Sequence, residues 1–501
     1  MDIASFFPPW FLPTTLLLFF PCVFIYIIRR STPSIKLPPG PPRLPLIGNL
    51  LQVFGKNGIH QNIWNLSQTY GPTMLLHFGT QPVLVISSSE MACQVLKTQD
   101  QKMCTRPYSK ASKRLTFNYM DVAFAPYNDH WRDMRKILVS EFLGAKRSRL
   151  YKNILEIEME GVVNSLSLHS LGTPVNLNDM VLTLVNDVVC KVTFGNSYRE
   201  KMFNGRTLKE IADETLVLIS GSFSDIFPTF GWILDELSGY NRRLEKCFND
   251  FDGFLQMILD DHLHQNETKK SDHEKDFIDD CISQLTSDEI KGLMMNVLDG
   301  AIDTTATTMV WAMSAIVKNP RVMQKLQNEI RSCVGRKARV DESDITKMTY
   351  LKMVVKESIR LYPHVSFLIG RECVSHCQIG GYDILPGTKI MINSWGIGRD
   401  PRTWKESPTE FRPERFENIQ FDFGGNHFEM IPFGGGRRAC PGYNLAISTI
   451  EFMIASLLYS FNWNAPDGAK NEDLDMQGAG NKSIRRAKPL CLVASKYNWQ
   501  D

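Results

Sequence analysis

The chain has 501 residues, 43% of them hydrophobic, and its 56 Lys and Arg nearly balance 54 Asp and Glu for a net charge of +2. That much apolar sequence excludes a disordered chain, and the near-neutral balance gives no reason to expect nucleic acid as a partner. The 11 cysteines are odd in number and follow no framework spacing, which excludes a disulfide scaffold and favours a reducing compartment.

Residues 3–28 carry no charge and 11–28 are mostly apolar, enough for the ~20 residues of a membrane-spanning helix. Arg29 and Arg30 follow at once, so the positive-inside rule leaves the bulk of the chain in the cytosol. A cleaved leader is disfavoured, because the basic residues follow the apolar run and no small-x-small site is evident. The sequons at Asn65, Asn266 and Asn481 are then expected to stay unmodified. Leu37-Pro38-Pro39-Gly40-Pro41-Pro42 cannot be helical and reads as a stiff spacer. With no Gly/Ser linker, internal repeat or low-complexity tract further on, the expected organisation is an anchor over 1–30, a proline-rich hinge over 31–48 and one large domain over 49–501.

Residues 74–78 and 83–87 flank Gly79-Thr80 and predict a hairpin; 382–385 and 389–393 flank Pro386-Gly387 and predict a second. Between them the pattern is helical, so the class is mainly α with a small β region. Trp131-Arg132-Asp133-Met134-Arg135 sets an indole and a guanidinium one helical turn apart. The most readable helix spans 287–317, with Ser287 as its cap, Asp288 and Glu289 at its positive end, and Asn319-Pro320 opening the next helix.

The middle of that helix holds Asp299-Gly300-Ala301-Ile302-Asp303-Thr304-Thr305. Gly costs ~1 kcal/mol there relative to Ala. Thr hydroxyls can bond back to carbonyls and bend the helix. Taken alone, such a cluster is more often a solvated face than a chemical one. Glu357 and Arg360 share a helical face, and Pro413-Glu414-Arg415-Phe416 follows downstream. Cys373, His376 and Cys377 have no second ligand pair nearby and do not make a closed zinc site.

The decapeptide Phe433-Gly434-Gly435-Gly436-Arg437-Arg438-Ala439-Cys440-Pro441-Gly442 is the most specific feature of the chain. A thiolate can ligate haem iron and favour O–O cleavage. Glycines let backbone pass close to a flat macrocycle, and their amides can point at the sulfur. Arg438 offers a permanent cation to a propionate, and Phe433 can pack on the ring.

This loop resembles the haem-binding loop of cytochrome P450s, and the other motifs extend the likeness over nearly the whole chain, with the plant A-type clan as the nearest pattern. The resemblance implies the P450 fold: a triangular α-helical body with a long central helix and a buried haem, plus one N-terminal transmembrane helix. It implies haem b (iron protoporphyrin IX) with Cys440 as axial ligand, Phe433 against the ring, and Trp131, Arg135, Arg371 and Arg438 at the propionates. Asp303 and Thr304 would deliver protons, with Ala301 standing where the family usually has Gly. Glu357, Arg360 and Arg415 would form a buried network behind the haem. Gly370 replaces the usual Pro before Arg371. Leu115, Phe117, Ala301, Val365, Phe367 and Leu368 would line the substrate cavity, with Asn481 and Lys482, where Gly480-Asn481-Lys482 replaces a commoner Phe-Gly-Leu.

The implied activity is that of a haem-thiolate monooxygenase inserting one atom of O2 into a small hydrophobic plant metabolite, a terpenoid or alkaloid being favoured. No GxGxxG unit is present, so electrons from NADPH would arrive through the NADPH–cytochrome P450 reductase of the endoplasmic reticulum. Arg132, Lys136 and Arg437 are candidates for its docking face. Lipid would hold the N-terminal helix in a single-pass arrangement with a cytosolic catalytic domain. Oxidative cyclisation, coupling or rearrangement without oxygen insertion is the alternative within enzymes. A non-catalytic haem sensor is the alternative from another class.

Overall fold

The longest helix, Ser287–Lys318, sets the frame. In the computed structural model, which describes residues 35–55, 58–168, 172–265, 276–480 and 483–499, it has 32 residues and so spans ~48 Å at 1.5 Å per residue. Its cap is Thr286, one residue before the expected Ser287. The Thr286 side chain accepts from the Glu289 N–H, and the Glu289 carboxylate accepts in return from the Thr286 N–H at 2.8 Å. This reciprocal pair satisfies two orphan donors at once, which a cap at Ser287 would not. Pro320 opens the next helix, Pro320–Val334, and ends the first.

The central helix packs against helices Leu177–Phe194, Thr349–Leu361 and Tyr443–Ser460. From Met309 to Val317 it is buried and, but for Ser314, apolar all round, as a helix enclosed on every side must be. Met294, Met309, Met313, Phe251, Phe254 and Phe277 fill the same core. Most of the abundant Met and Phe therefore pack the interior.

The first hairpin forms as expected. Strands β1 (Thr73–Phe78) and β2 (Gln81–Ile86) pair antiparallel around Gly79-Thr80. The second does not. Strand Tyr382–Ile384 turns back on Cys377–Ile379 through Gly380-Gly381, both with positive φ (58° and 78°), the two-residue turn that a right-twisted hairpin favours. With β3 (Arg371–Glu372) and β4 (Lys389–Ile392), the main sheet has the order β1-β2-β4-β3, and β4 runs parallel to β2. The Pro386-Gly387 signal marks a turn, but Gly-Gly upstream holds the tighter one and takes the pairing.

The proline-rich segment touches both sheets: the Leu75 N–H donates to the Pro39 carbonyl at 2.8 Å, and the Lys36 N–H donates to Asp383 of the small hairpin at 2.9 Å. Residues 1–30, expected to form an anchor, and Asn266, Asn481 and Lys482 lie outside the described residues. Among the described residues no helix is long and apolar enough to cross a membrane.

Glu357 and Arg360 on the Thr349–Leu361 helix meet Arg415 of the Pro413–Phe416 turn. Arg360 Nε and Nη2 donate to the two Glu357 oxygens at 2.7 and 2.8 Å, and Arg415 Nε donates to Oε1 at 2.9 Å. Arg360 also donates to the Gly398 and Pro408 carbonyls at 2.6 and 2.7 Å. Glu357 and Arg360 are fully enclosed, so removing either strands a charge. Glu357→Ala is expected to cost ~3–5 kcal/mol. The check is thermal denaturation with haem content read alongside, and wild-type values of both would refute a structural role.

Candidate active site

Cys440 sits between the short turn Gly436–Arg438 and the Tyr443–Ser460 helix. Its N–H donates to the Phe433 carbonyl at 2.9 Å, closing the loop. Burial pushes the thiol up, opposed by the Gly442 amide aimed at the sulfur and by Arg135. At Gly436 φ is +65°, and a Cβ would lie 2.1 Å from the Leu96 carbonyl oxygen and 2.5 Å from Asp100 Oδ1, so no other residue fits there. Phe433 packs edge-on against Phe423 at 5.3 Å.

Guanidinium groups crowd this loop. Arg135 Nη2 donates to the Ala439 carbonyl at 2.6 Å. Arg371 forks between Asp100 Oδ1 and the Gly435 carbonyl, each at 2.7 Å. Arg438 donates to the Cys104 and Ala125 carbonyls at 2.8 and 2.6 Å and lies 4.2 Å from the Trp131 ring centre. Trp131 itself donates to the Val122 carbonyl at 2.9 Å. Arg106 donates to Ala123 and Ile369 carbonyls at 2.8 and 2.6 Å.

Burial, together with Arg371 and Arg135, pulls Arg438 down to about 10. Burial and then Arg438 and Arg371 pull Arg106 well below its ordinary value. Guanidinium stays protonated all the same. The facing carboxylates, Asp100 and Asp121, leave the cluster short of anion. A flat dianion fits that deficit, and a haem with two propionates has that shape and charge. The thiol, the close-passing glycine and the cation cluster together fit the group.

The described candidates for substrate contact fall into two sets. Ala301, Val365 and Leu368 keep some exposed surface. Leu115, Phe117 and Phe367 are packed into core clusters, Phe117 with its ring 5.4 Å from Phe248.

On the central helix Thr304 Oγ1 donates to the Gly300 carbonyl at 2.5 Å. Asp303 lies 3.3 Å from His364 Nε2 and 2.8 Å from Arg485 Nη2. Burial would push its carboxyl up, but His364 and Arg485 outweigh that and hold it below the ordinary value. Arg485 also reaches Asp213 at 3.0 Å. The loop carrying Arg485 is clipped in place: the Ile484 N–H donates to the His364 carbonyl at 2.8 Å, and Trp311 Nε1 donates to the Ile484 carbonyl at 2.9 Å. One turn before Asp303, burial, Asp303 and Asp213 push Asp299 up to about 8.

Sequence reasoning missed Asp100, His364 and Arg485. None lies in a recognisable spacing. His364 and Arg485 meet Asp303 only because a strand-like bridge pairs Val365 with Ser483.

A family model described as Cytochrome P450 matches residues 38–490. Parthenolide synthase of Tanacetum parthenium is 54% identical, with 99% of this chain and all of that protein covered. Eupatolide synthase of Helianthus annuus is 49% identical over the full length of both, and Cytochrome P450 71B37 of Arabidopsis thaliana is 41% identical over 97% of this chain and 99% of its own. A solved zebra fish cytochrome P450 with abiraterone has a TM-score of 0.72 at 23% identity, covering 88% of this chain and 99% of that one, which speaks for the fold.

Because Asp299 keeps its proton to about 8 when folded, against 3.8 ordinarily, the folded state binds the extra proton between those values. Stability should decline as pH rises through that window and level off above it. Asp299→Asn is expected to flatten the decline in melting temperature from pH 5 to 8. An unchanged slope would count against a buried neutral acid.

Proposed function

The chain belongs to the cytochrome P450 family, and from that premise we propose that it oxygenates a terpenoid at a cavity between the Cys440 loop and the central helix. It is a haem monooxygenase acting on a plant specialised metabolite, with O2, a redox partner and a small substrate. The observation that carries the terpenoid reading is the end-to-end likeness, at 54% and 49% identity, to two relatives named for making parthenolide and eupatolide.

In this reading Cys440 would ligate the iron, Phe433 would pack on the ring, and Arg135, Arg371, Arg438 and Trp131 would hold the propionates. Bound thiolate-ligated haem supplies oxygen activation. The chain's own groups handle protons. Asp303, paired with His364 and Arg485, takes up a proton and passes it inward, and the Thr304 hydroxyl holds it at the helix surface. Ala301, Val365 and Leu368 line the cavity, with Leu115, Phe117 and Phe367 shaping it from behind. Contact of Asn481 or Lys482 with a polar or anionic substrate group competes with the lysine reaching to water; unchanged substrate affinity in Lys482→Leu would discard the contact for the lysine.

The electron donor is the NADPH–cytochrome P450 reductase of the endoplasmic reticulum, docking on a face with Arg132, Lys136 and Arg437. All three are exposed, although Arg437 shares its charge with Asp100 and Arg132 with Asp129. Residues 1–30 form the single-pass anchor, 31–48 the hinge and 49–501 the cytosolic catalytic domain. Exposed Leu46, Leu51 and Phe54 on one segment, and Trp232 and Leu237 on another, support a lipid-facing side. The hairpin tip at Gly79 touches Ile226 and Phe227 and brings the two segments near each other.

The test is mass spectrometry of products from reductase-supplemented microsomes given a terpene panel under 18O2. Labelled oxygenated product is expected. Unlabelled cyclised product would replace oxygen insertion by oxidative coupling, and haem-loaded protein with no NADPH consumption would favour a sensor. Cys440→Ser should bind less haem and lose the reduced carbon-monoxide Soret band near 450 nm expected of the family; retention of that band would overturn the ligand assignment.

A further inference from the structure

The two carboxylate oxygens of Asp303 sit in different settings. Oδ1 is occupied: Arg485 Nη2 stands 2.8 Å away, and Thr307 Oγ1 donates to it at 3.4 Å. Oδ2 is shielded from water and accepts no hydrogen bond, yet His364 Nε2 lies 3.3 Å from it. The ring nitrogen is within range but off the hydrogen-bond line. The Ser483 hydroxyl reaches the same ring, 3.2 Å from Nε2 and 3.4 Å from Nδ1.

Imidazole and hydroxyl come to Asp303 as one unit. A bridge pairs Val365 with Ser483, and the Ile484 N–H donates to the His364 carbonyl at 2.8 Å. Of the two basic side chains that meet Asp303, only one can give it a proton. A guanidinium keeps its protons, so Arg485 can fix the carboxylate but cannot neutralise it. Imidazole exchanges protons near neutrality. The free oxygen is the one shielded from water, so its proton has to arrive through a side chain.

We propose that His364 supplies the proton that Asp303 passes inward. The inference rests on the reading of Asp303 as a proton carrier and names its source. The imidazolium Nε2–H bond breaks and an O–H bond forms at Asp303 Oδ2, leaving a neutral ring and a neutral carboxyl. A small turn of the ring brings Nε2 onto the line, as catalytic hydrogen bonds tighten when a site fills. The ring regains its proton from the Ser483 hydroxyl, which takes one from water; Ser483 is half-buried. Arg485, held by Asp213 at 3.0 Å as well, keeps Oδ1 occupied and directs the proton to Oδ2. His364 acts through Asp303 and is therefore a positioning residue.

The test uses the full haem-loaded chain with reductase and a terpene from the panel that gives labelled product. It compares His364→Gln, Asp303→Asn and the double variant. Gln keeps hydrogen-bonding groups but relays no proton. His364→Gln is expected to lower kcat about tenfold, below the ~10²–10⁴ of an acid that touches the reacting group. Substrate affinity, read by spectral shift, should stay within about twofold of wild type, and the solvent deuterium isotope effect should rise. The double variant should be no slower than Asp303→Asn alone. Apart from turnover, the double variant should lose less melting temperature than the two single losses summed, as for groups in contact. The carbon-monoxide band reports folded protein, and His364→Asn serves if His364→Gln lacks it. Wild-type kcat in His364→Gln beside a slow Asp303→Asn, additive melting losses, or a loss of affinity matching the loss of kcat would overturn the inference while the Asp303 reading stands. Asp303→Asn turning over at the wild-type rate would overturn that reading, and the inference with it.

Discussion

Desolvating a guanidinium is costly unless each N–H finds an acceptor, and the Cys440 region holds Arg106, Arg135, Arg371 and Arg438 together. Much of the surrounding architecture answers that constraint. Carbonyls of residues 104, 122, 123, 125, 369, 435 and 439 turn towards these side chains. The loop over 121–125 is in turn tied to the central helix, because Asn296 accepts from the Val122 N–H at 2.6 Å and donates to Asp121 at 3.1 Å. The cations thus organise the backbone around the thiol, and the backbone keeps the cations poised for a stronger anion.

The central helix divides its labour along its length. Its second half is apolar core, and its middle carries a polar strip in which two aspartates four residues apart have opposite characters. His364 and Arg485 hold Asp303 in its charged form, whereas burial without a partner keeps Asp299 neutral. Two carboxyls on one helix with separated proton affinities can serve two tasks, one moving protons and one staying neutral in the interior.

The fold class, the long helix, its approximate ends and the first hairpin were legible in the sequence because each rests on local spacing. The Glu357–Arg360–Arg415 meeting and the Cys440 loop were legible through motifs. The second hairpin was misread because Pro386-Gly387 and Gly380-Gly381 both signal turns, and only the competition of β4 for β2 decides between them. Asp100, His364 and Arg485 left no trace for the same reason: their partners are fixed by long-range packing. Asp299 was visible as part of a polar cluster, but its lack of a partner is a property of the assembled molecule.

That competition has a temporal side. Strand β2 cannot find β4 until the ribosome has passed Ile392, some three hundred residues after Ile86. At ~5–20 residues per second, the nascent hairpin presents an unpaired edge for on the order of tens of seconds. Chaperone cover during that interval, more than final stability, would then govern how much enzyme a heterologous host delivers.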